Sequence, residues 1–326
     1  MIQVSVIVPT FNRYASLRVL LSALLKQTIA PNDFEVIVVD DGSSDETPSL
    51  TQIAYPFSLH YRRQANAGSG AARNAGARLS QGKVLVFLDD DILPEPGYLQ
   101  ALVDEHARFP NVIGMGTLYP YVDQTSGPFE RYSRAVAGQT LTNGFVDFTT
   151  CTSNNLSVER QTFFQLGAWR DIAGDGQTLW GDVEFGYRAY RAGLRFRRCA
   201  EAVCFHRDYA IRDLRTASRR MQRSAQLAHL LFQTCPELEG ELRMFRDMSP
   251  PDWRRDAPSL IVRKFLRALS ATEVVVNSET ALVSALERVT PSSRVLGPFY
   301  RWIIGAYIFR GYRDGLTTRQ LASVSV

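Results

Sequence analysis

The chain has 326 residues, of which 45% are hydrophobic, so it is long enough for a substantial core in one large or two ordinary domains. Charge is unevenly spread: residues 1–206 carry 18 basic against 21 acidic residues, whereas residues 207–326 carry 19 against 12. No run approaches eighteen apolar residues, which argues against a membrane-spanning helix, and four cysteines without a CxxC pair or signal-peptide pattern predict reduced thiols in the cytoplasm.

Short apolar runs alternate with helical periodicity in the first hundred residues. The predicted strands are 4–8, 35–39, 59–62 and 84–88. Leucines recur at helical spacing from Leu17 to Leu25, and small residues at 66–76 predict a helix that packs closely on a sheet. This alternation predicts parallel β-α-β units, whose strands end at one common edge of the sheet, where ligands bind.

Three consecutive carboxylates, Asp89 to Asp91, follow the strand at 84–88. Carboxylates are seldom buried unless they are paired, so this position indicates a cation or a substrate. A solvated acidic turn is the alternative, and a turn or helix cap is the alternative for Asp40 and Asp41 after the strand at 35–39. The common edge would gather both acidic groups, Arg73 and the segment 9–13 in one crevice.

The sequence Gly68-Ser69-Gly70 does not predict a dinucleotide-binding loop. Arg73 stands where the third glycine of that motif is required, and the segment does not directly follow the first strand. We expect its glycines to allow close packing of a helix on the sheet.

Four segments occur in an order that resembles the family 2 glycosyltransferases with the GT-A fold. They are residues 4–13, 38–43, 72–76 and 87–91. The resemblance continues through residues 152–157, 166–169 and 181–188 and fades after about 206. It implies an α/β fold with a mixed central sheet flanked by helices, in a catalytic domain at 1–206. The donor half would be about 1–100 and the acceptor half about 101–206, followed by a basic, mostly helical extension at 207–326.

The resemblance assigns a nucleotide to residues along the predicted crevice. They are Pro9, Thr10, Asn12, Arg13, Asp40, Asp41, Arg73, Asp89 and Asp90. Asp41 would accept a hydrogen bond from a uracil N–H, and Arg73 would face the diphosphate or hold the acidic loop. Asp89 and Asp91 would form an Asp-x-Asp signature, with Asp89 toward the ribose and the metal and Asp91 on a Mn²⁺ or Mg²⁺ ion. His206 is a further candidate ligand, and a structural histidine is the alternative.

The resemblance also implies a single displacement that inverts the sugar, with Asp182 as the catalytic base. The Glu-Asp pair usual in the family is Gly181-Asp182 here, and Glu184 would partly replace the missing carboxylate. First-turn acids that complement a helix dipole are the alternative for both carboxylates. The candidate acceptor-binding residues are Asn154, Asn155, Trp180 and Glu184. A turn is the alternative role for the two asparagines, and a place in the core is the alternative for Trp180.

The remaining sequence is less informative. Short strands are expected at 114–116 and 146–148, and the polar stretch 123–143 is expected to be a loop that covers the acceptor. Arginines from Arg212 to Arg223 and the aromatic segment 302–313 predict amphipathic helices, which either contact a membrane surface or form a packed subdomain or a homodimer. The basic residues accompany no nucleic-acid module, so nucleic acid is not expected as a partner.

The sequence therefore predicts an inverting, metal-dependent glycosyltransferase in the cytoplasm or on the inner face of the membrane. It would move a sugar from a nucleotide-sugar, chiefly a UDP-sugar, to a saccharide or lipid-linked acceptor in cell-surface polysaccharide or glycan synthesis. A nucleotidyltransferase on a similar sheet is one alternative, although the glycine-rich basic loop that it needs after the first strand is absent. A non-catalytic nucleotide-sugar-binding scaffold is the other.

Overall fold

The chain folds into two compact units in a computed structural model. The first unit, which we call the sheet unit, consists of residues 1–121 and 137–208, and the second, the helical unit, consists of residues 122–136 and 209–326. The structure describes residues 1–121, 126–139, 142–172, 174, 179–207, 213–242, 244–245, 248, 251–290 and 292–324. Within these ranges, no helix has both the length and the apolar character needed to cross a membrane.

The strands and helices follow one another along the chain with short connections. The strands are β1 (Val4–Thr10), β2 (Phe34–Asp40), β3 (Ser58–Arg63), β4 (Val84–Leu88), β5 (Ile92–Pro94), β6 (Val112–Pro120), β7 (Gly144–Val146), β8 (Asn155–Glu159) and β9 (Arg195–His206). The helices are α1 (Tyr14–Leu24), α2 (Ser69–Leu79), α3 (Tyr98–Arg108), α4 (Pro128–Gln139), α5 (Arg160–Gln165), α6 (Gly181–Arg191), α7 (Leu214–Thr234), α8 (Leu238–Glu241), α9 (Pro258–Ser270), α10 (Glu273–Val289) and α11 (Ser293–Val324). Short 3₁₀ helices lie at Pro31–Asp33, Thr47–Gln52 and Phe148–Thr150.

The strands form one mixed sheet in the order β3-β2-β1-β4-β8-β6-β9-β5, with β7 paired to β9. The predicted parallel arrangement is confirmed for β1 to β4, which pair in parallel. Strand β8 is antiparallel to both β4 and β6, so the sheet is mixed. Because β2 lies on one side of β1 and β4 on the other, the strand order reverses at β1, and such a reversal opens a crevice at the carboxyl ends of the strands.

Every residue of β1, β2 and β4 is buried, which explains their continuous apolar runs. Val6 and Val36 share a core with Leu17 of α1, so this helix covers one face of the sheet. On the other face, α2 packs so closely that a Cβ atom at Gly76 would lie 2.6 Å from Cγ2 of Ile7. The predicted close packing of a small-residue helix is therefore confirmed.

The expected loop at 123–143 is wrong for residues 128–139, which form α4. The reason is that two aromatic residues of α4, spaced three apart, supply an apolar face. Within the helical unit, the rings of Phe129 and Tyr132 lie 5.1 Å and 5.0 Å from that of Tyr300. Residues 123–125 and 140–141 of the predicted loop lie outside the described residues.

The helical unit has its core between α7 and α11. Three residues of the segment 302–313 are buried there: Ile303, Tyr307 and Tyr312. Their burial agrees with the packed subdomain, one of the alternatives for that segment. The two helices approach closely at Gly311, where a Cβ atom would collide with a backbone carbonyl of α7. Arg212, which was expected to begin the preceding amphipathic helix, lies outside the described residues.

Candidate active site

A pocket of about 200 Å³ opens at the crevice beside the ends of β1 and β4. Its lining combines one aromatic ring, two cations and four carboxylates: Pro9, Thr10, Phe11, Arg13, Asp41, Ser69, Arg73, Asp89, Asp90 and Asp91. The structure therefore brings together segments that are up to eighty residues apart in sequence, because all follow parallel strands or begin the helices after them.

Asp90 is held by groups of the chain itself. The Thr10 hydroxyl donates to its Oδ2 at 2.8 Å, and Arg13 Nε lies 3.0 Å from its Oδ1. Burial raises the pKa of the Asp90 carboxyl to about 7, although the charge of Arg13 and the hydrogen bond from Thr10 act to lower it. Both oxygens of Asp90 thus have partners within the protein.

Asp91 lies beside the predicted ligand His206. Strands β5 and β9 pair with Ile92 opposite His206, and the backbone N–H of Arg207 donates to the Asp91 carbonyl at 3.0 Å. His206 Nε2 is then 3.4 Å from the buried Asp91 Oδ1, and Arg13 Nη2 donates to Asp91 Oδ2 at 2.8 Å. Burial acts to raise the pKa of Asp91, but His206 and Arg13 together hold it below its ordinary value.

A divalent cation fits this pair of side chains. Mg²⁺ and similar ions are commonly held by one or two carboxylates, with substrate phosphates and waters completing the shell. Asp91 Oδ1 and the adjacent imidazole of His206 would supply protein ligands. Asp89 is engaged elsewhere, since Arg73 Nη2 donates to its Oδ1 at 2.5 Å. Among the described residues no cluster of three His, Cys, Asp or Glu side chains suits a metal.

Asp41 lines the pocket with its carboxylate largely satisfied. Its Oδ1 accepts hydrogen bonds from Gln64 Nε2 at 2.8 Å and Ala67 N at 2.9 Å, and its Oδ2 accepts from Gly68 N at 2.8 Å. An ionised carboxylate has about four acceptor positions, so about one remains for a ligand. Asp41 therefore also fixes the loop that leads into α2.

Asp40 and Asn12 hold the turns that border the pocket, and neither lines it. Asp40 is fully buried, accepts from Ser43 N at 2.7 Å, and also accepts from the Tyr61 hydroxyl. Asn12 has a left-handed backbone, with a φ of 53°, and its Oδ1 accepts from Ser44 N at 2.7 Å. These contacts connect the turn after β1 to the turn after β2. The Asp40 side chain thus lies among these turns and not in the nucleotide-facing position predicted for it.

Asp182 lies in the first turn of α6. The Ser153 hydroxyl and backbone N–H both donate to its carboxylate, but burial has the larger effect and raises the pKa of Asp182. The charges of Arg73 and Asp89 are near enough to influence it. Trp180, two residues before Asp182, has a left-handed backbone with a φ of 67°, which is a strained conformation for a bulky residue.

Two candidate acceptor residues at the start of β8 have different environments. Asn155 is buried, and its side chain is satisfied by the Tyr98 hydroxyl at 2.5 Å and by both backbone groups of Gly116. It therefore holds β8 to its neighbours and does not occupy the acceptor-facing position predicted for it. Asn154 Oδ1 is buried without a hydrogen-bond partner, and the Asn154 carbonyl accepts from Asp89 N at 3.2 Å.

Glu184 also has a structural environment. Its carboxylate is fully buried and binds Arg188 through two hydrogen bonds, at 2.6 and 2.8 Å, with Arg170 at 3.4 Å. Because these cations occupy its oxygens, Glu184 does not face an acceptor or replace the carboxylate missing before Asp182. Trp180, the remaining acceptor candidate, is half-buried at the start of α6.

Sequence reasoning assigned no individual role to three residues of this region, although Phe11 belongs to the segment 9–13 that it placed in the crevice. Phe11 and Ser69 line the pocket, and Ser153 contacts Asp182. Phe11 is 45% exposed and lies between two residues that were predicted, so its position in the same turn was an available signal. Ser153 had no such signal, because its contact depends on the packing of the segment before β8 against α6.

Comparison with known proteins identifies the family of the sheet unit. Residues 5–163, which contain the whole pocket lining, match the family described as Glycosyl transferase family 2. This part of the chain belongs to glycosyl transferase family 2. The resemblance expected from the strand-end motifs is thereby confirmed.

Curated relatives of this family 2 chain include enzymes of several activities. Validoxylamine A glucosyltransferase of Streptomyces hygroscopicus subsp. limoneus is 32% identical over 224 residues, which are 58% of this chain and 48% of the relative. Glycosyltransferase AglE of Haloferax volcanii is 39% identical over 210 residues, or 62% of this chain and 66% of the relative. Chondroitin synthase of Escherichia coli is 28% identical over 242 residues, or 63% and 34%. The chain thus spans about half the length of the first of these relatives and a third of the last.

Solved structures resemble the family 2 chain over nearly its full length. Mannosyltransferase PcManGT from Pyrobaculum calidifontis, solved with GDP-Man and Mn²⁺, has a TM-score of 0.56 at 19% identity and covers 96% of this chain and 87% of its own. Residues 1–349 of S. aureus TarS give a TM-score of 0.53 at 16% identity and cover 98% and 92%. At these identities the likeness shows the fold, and the predicted GT-A fold is confirmed.

Proposed function

We propose that this chain is an inverting, divalent-metal-dependent glycosyltransferase that moves a sugar from a nucleotide-sugar, chiefly a UDP-sugar, to a saccharide or lipid-linked acceptor. The observation that carries the proposal is the pocket of a family 2 domain in which the buried Asp91 Oδ1 lies 3.4 Å from His206 Nε2. The names of the relatives, among them a glucosyltransferase and a chondroitin synthase, support sugar transfer. A TarS structure that holds UDP-GlcNAc supports a uridine donor.

On the donor side, four residues of the pocket and the adjacent His206 have proposed tasks. Asp41 uses its remaining acceptor position for an N–H group of the donor's nucleobase. Arg73 faces the diphosphate, which is supported by its Nε atom, buried without a hydrogen-bond partner. Asp91 and His206 would hold a Mn²⁺ or Mg²⁺ ion, which stabilises the negative charge that develops on the leaving diphosphate. Asp89, fixed by Arg73, lies toward the ribose.

On the acceptor side, Asp182 is the proposed base. It takes the proton of the acceptor hydroxyl while that oxygen forms a bond to the anomeric carbon of the donor sugar. The bond from the anomeric carbon to the diphosphate oxygen breaks, and its electron pair leaves with the nucleoside diphosphate. The raised pKa of Asp182 suits this task, because a base works best when its pKa approaches the working pH.

We place catalysis in residues 1–206 and the biological role in cell-surface polysaccharide or glycan synthesis, in the cytoplasm or at the inner face of the membrane. The membership of residues 5–163 in a glycosyltransferase family favours this function over a nucleotidyltransferase. A scaffold that binds nucleotide-sugars without turnover differs from it only in catalysis, so a measurement of turnover separates the two.

Isothermal titration calorimetry with UDP, GDP and dTDP, with and without Mn²⁺, tests the donor site. We expect one diphosphate, UDP foremost, to bind at least about tenfold more tightly with Mn²⁺, because the ion bridges the carboxylate and the phosphates. His206→Ala should remove most of this difference. The control His229→Ala changes a partly buried histidine of α7, outside the pocket, and should leave the difference intact. Failure of every nucleotide to bind would overturn the donor site.

A screen of nucleotide-sugars for hydrolysis and transfer tests the catalytic base and identifies the donor sugar. Asp182→Asn should lower turnover by about 10²–10⁴-fold while the affinity for the nucleotide stays within about twofold, since an amide cannot accept the proton. Asp104→Asn, an exposed change on α3, serves as the control. Unchanged turnover in Asp182→Asn would show that another group is the base.

A further inference from the structure

Helix α9 exposes its apolar side. Val262, Phe265, Leu266 and Leu269 follow one another at intervals of one to four residues on one side of the helix, and they are 56%, 52%, 51% and 62% exposed. In an ordinary surface helix such a stripe faces the core. Here Lys264 on another side of the helix is only 3% exposed, so the usual arrangement is reversed.

Polar contacts within the helical unit fix this orientation. Lys264 Nζ donates to Asp256 Oδ2 at 2.6 Å. At the end of α9, the Ser270 hydroxyl donates to Glu279 Oε2 at 2.6 Å and accepts from Trp302 Nε1 at 3.0 Å. Rotation of α9 to bury its apolar side would break these bonds and leave a buried charge unpaired, which is costly. The polar contacts of α9 within the helical unit therefore keep the apolar stripe exposed.

An aromatic residue before the helix extends the stripe. Trp253 is 71% exposed, and its ring centroid lies 5.7 Å from that of Phe265. We call the surface formed by Trp253, Val262, Phe265, Leu266 and Leu269 the α9 face. Contiguous exposed apolar surface of this kind marks a site of interaction with a protein or a membrane.

The charge around the α9 face identifies its partner. Residues 251–270 contain five Arg and Lys against two Asp, and one of these acids, Asp256, is occupied by Lys264. Arg254 and Arg255 adjoin Trp253, and the Arg255 side chain is 89% exposed, with Asp252 at 3.8 Å. A second copy of the chain in a two-fold dimer would set this basic surface against itself, which is unfavourable.

We propose that the α9 face docks on an anionic phospholipid surface, with α9 lying in the plane of the interface. Exposed Trp, Phe and Leu beside arginines is the composition of helices that bind there. At thirteen residues and roughly 1.5 Å per residue, α9 is too short to cross a bilayer of roughly 30 Å. Docking needs no sugar donor, so it stands or fails separately from the proposed glycosyl transfer.

Flotation of the full chain with vesicles tests the docking. We expect binding to phosphatidylcholine vesicles that contain phosphatidylglycerol, weaker binding to pure phosphatidylcholine, and a loss of binding as salt rises, since salt screens the arginines. Phe265→Ser combined with Leu269→Ser should lower the partition coefficient at least about tenfold, because binding scales with buried apolar area. Leu25→Ser with Ile53→Ser, two equally exposed apolar residues of the sheet unit, should leave it unchanged.

Tryptophan fluorescence gives a direct readout of the contact. Emission should shift to shorter wavelength with anionic vesicles, and Trp253→Phe should remove most of that shift. Arg254→Glu with Arg255→Glu should abolish binding to anionic vesicles without altering the unfolding midpoint. Two outcomes would overturn the proposal. One is vesicle binding that is equal in the Phe265/Leu269 double variant and the wild type, and the other is a dimer in lipid-free solution that this double variant dissociates.

Discussion

The three carboxylates that follow β4 have three different sets of partners. Asp89 binds Arg73, Asp90 binds Thr10 and Arg13, and Asp91 lies beside His206. Because successive side chains point in different directions where the strand ends, neighbours in sequence reach different elements. Asp90 thus stabilises the pocket, whereas Asp89 is proposed to lie toward the ribose and Asp91 to bind the metal.

Ser153 is expected to tune the proposed base. Its hydroxyl and N–H favour the charged form of Asp182 and so oppose the effect of burial, which raises the pKa. Ser153→Ala removes one donor to a charged group, worth ~1.5 kcal/mol, and should raise the pKa of Asp182 by about one unit. Since the base must be deprotonated, the acidic limb of the kcat/KM profile should move to higher pH by that amount.

The pH profile of two further variants checks this interpretation. Ser153→Thr keeps a hydroxyl and should restore the profile of the wild type. Ser22→Ala removes an exposed hydroxyl of α1 and should not move the profile. An acidic limb that is the same in Ser153→Ala and the wild type would mean that Ser153 has no influence on the group that titrates.

At the scale of elements, α2 connects packing to the pocket. The helix begins after Gly68, whose φ of 87° is left-handed, and its first turns carry Ser69 and Arg73 to the pocket lining. Its later turn rests on the sheet at Gly76, where the contact with Ile7 leaves no space for a side chain. The depth of α2 against β1 therefore sets the position of Arg73.

Gly76→Ala is expected to destabilise the sheet unit. The new methyl group would meet Ile7 Cγ2 at 2.6 Å and Val39 Cγ2 at 3.3 Å. Such overpacking costs about 1–3 kcal/mol, which outweighs a gain in helix propensity of at most about 1 kcal/mol. Urea unfolding followed by circular dichroism should show a lower midpoint. Gly97→Ala is the matched control, because nothing lies within 4 Å of its added Cβ, and equal midpoints for the two variants would contradict the expectation.

The elements that sequence predicts well are those with local signals. Apolar runs located β1 to β4, and the rule that ligands bind where parallel strands end located the pocket. Asn155 and Glu184 were assigned to an acceptor because amides and carboxylates suit sugars. Asn155 is satisfied by Tyr98, which is 57 residues away, and such a contact leaves no periodic trace. Glu184 binds Arg188 at the i,i+4 spacing of a helix, so its ion pair, unlike its burial, was visible in the sequence.

For the whole molecule, the order of the chain and the division into units do not coincide. Residues 122–136 stand between two parts of the sheet unit in sequence but belong to the helical unit. Composition alone separated a neutral first part from a basic last part near residue 206. It did not indicate that residues 122–136 belong to the helical unit. The reason is that polar residues in 123–143 outnumber Phe129 and Tyr132, whose packing on Tyr300 decides where the segment lies.

A chain that ends at residue 208 is therefore expected to aggregate, even though it contains every residue of the pocket. It lacks Tyr300, so Phe129 and Tyr132 become exposed, and exposed aromatic surface promotes association. Light scattering after gel filtration should show aggregates, with stronger binding of a hydrophobic dye than in the full chain.

Phe129→Ser with Tyr132→Ser in the shortened chain should restore a monomer. The same change at Tyr119 and Phe145, exposed aromatic residues of the sheet unit, should not restore it. A shortened chain that is monomeric without these substitutions would show that α4 does not need the helical unit.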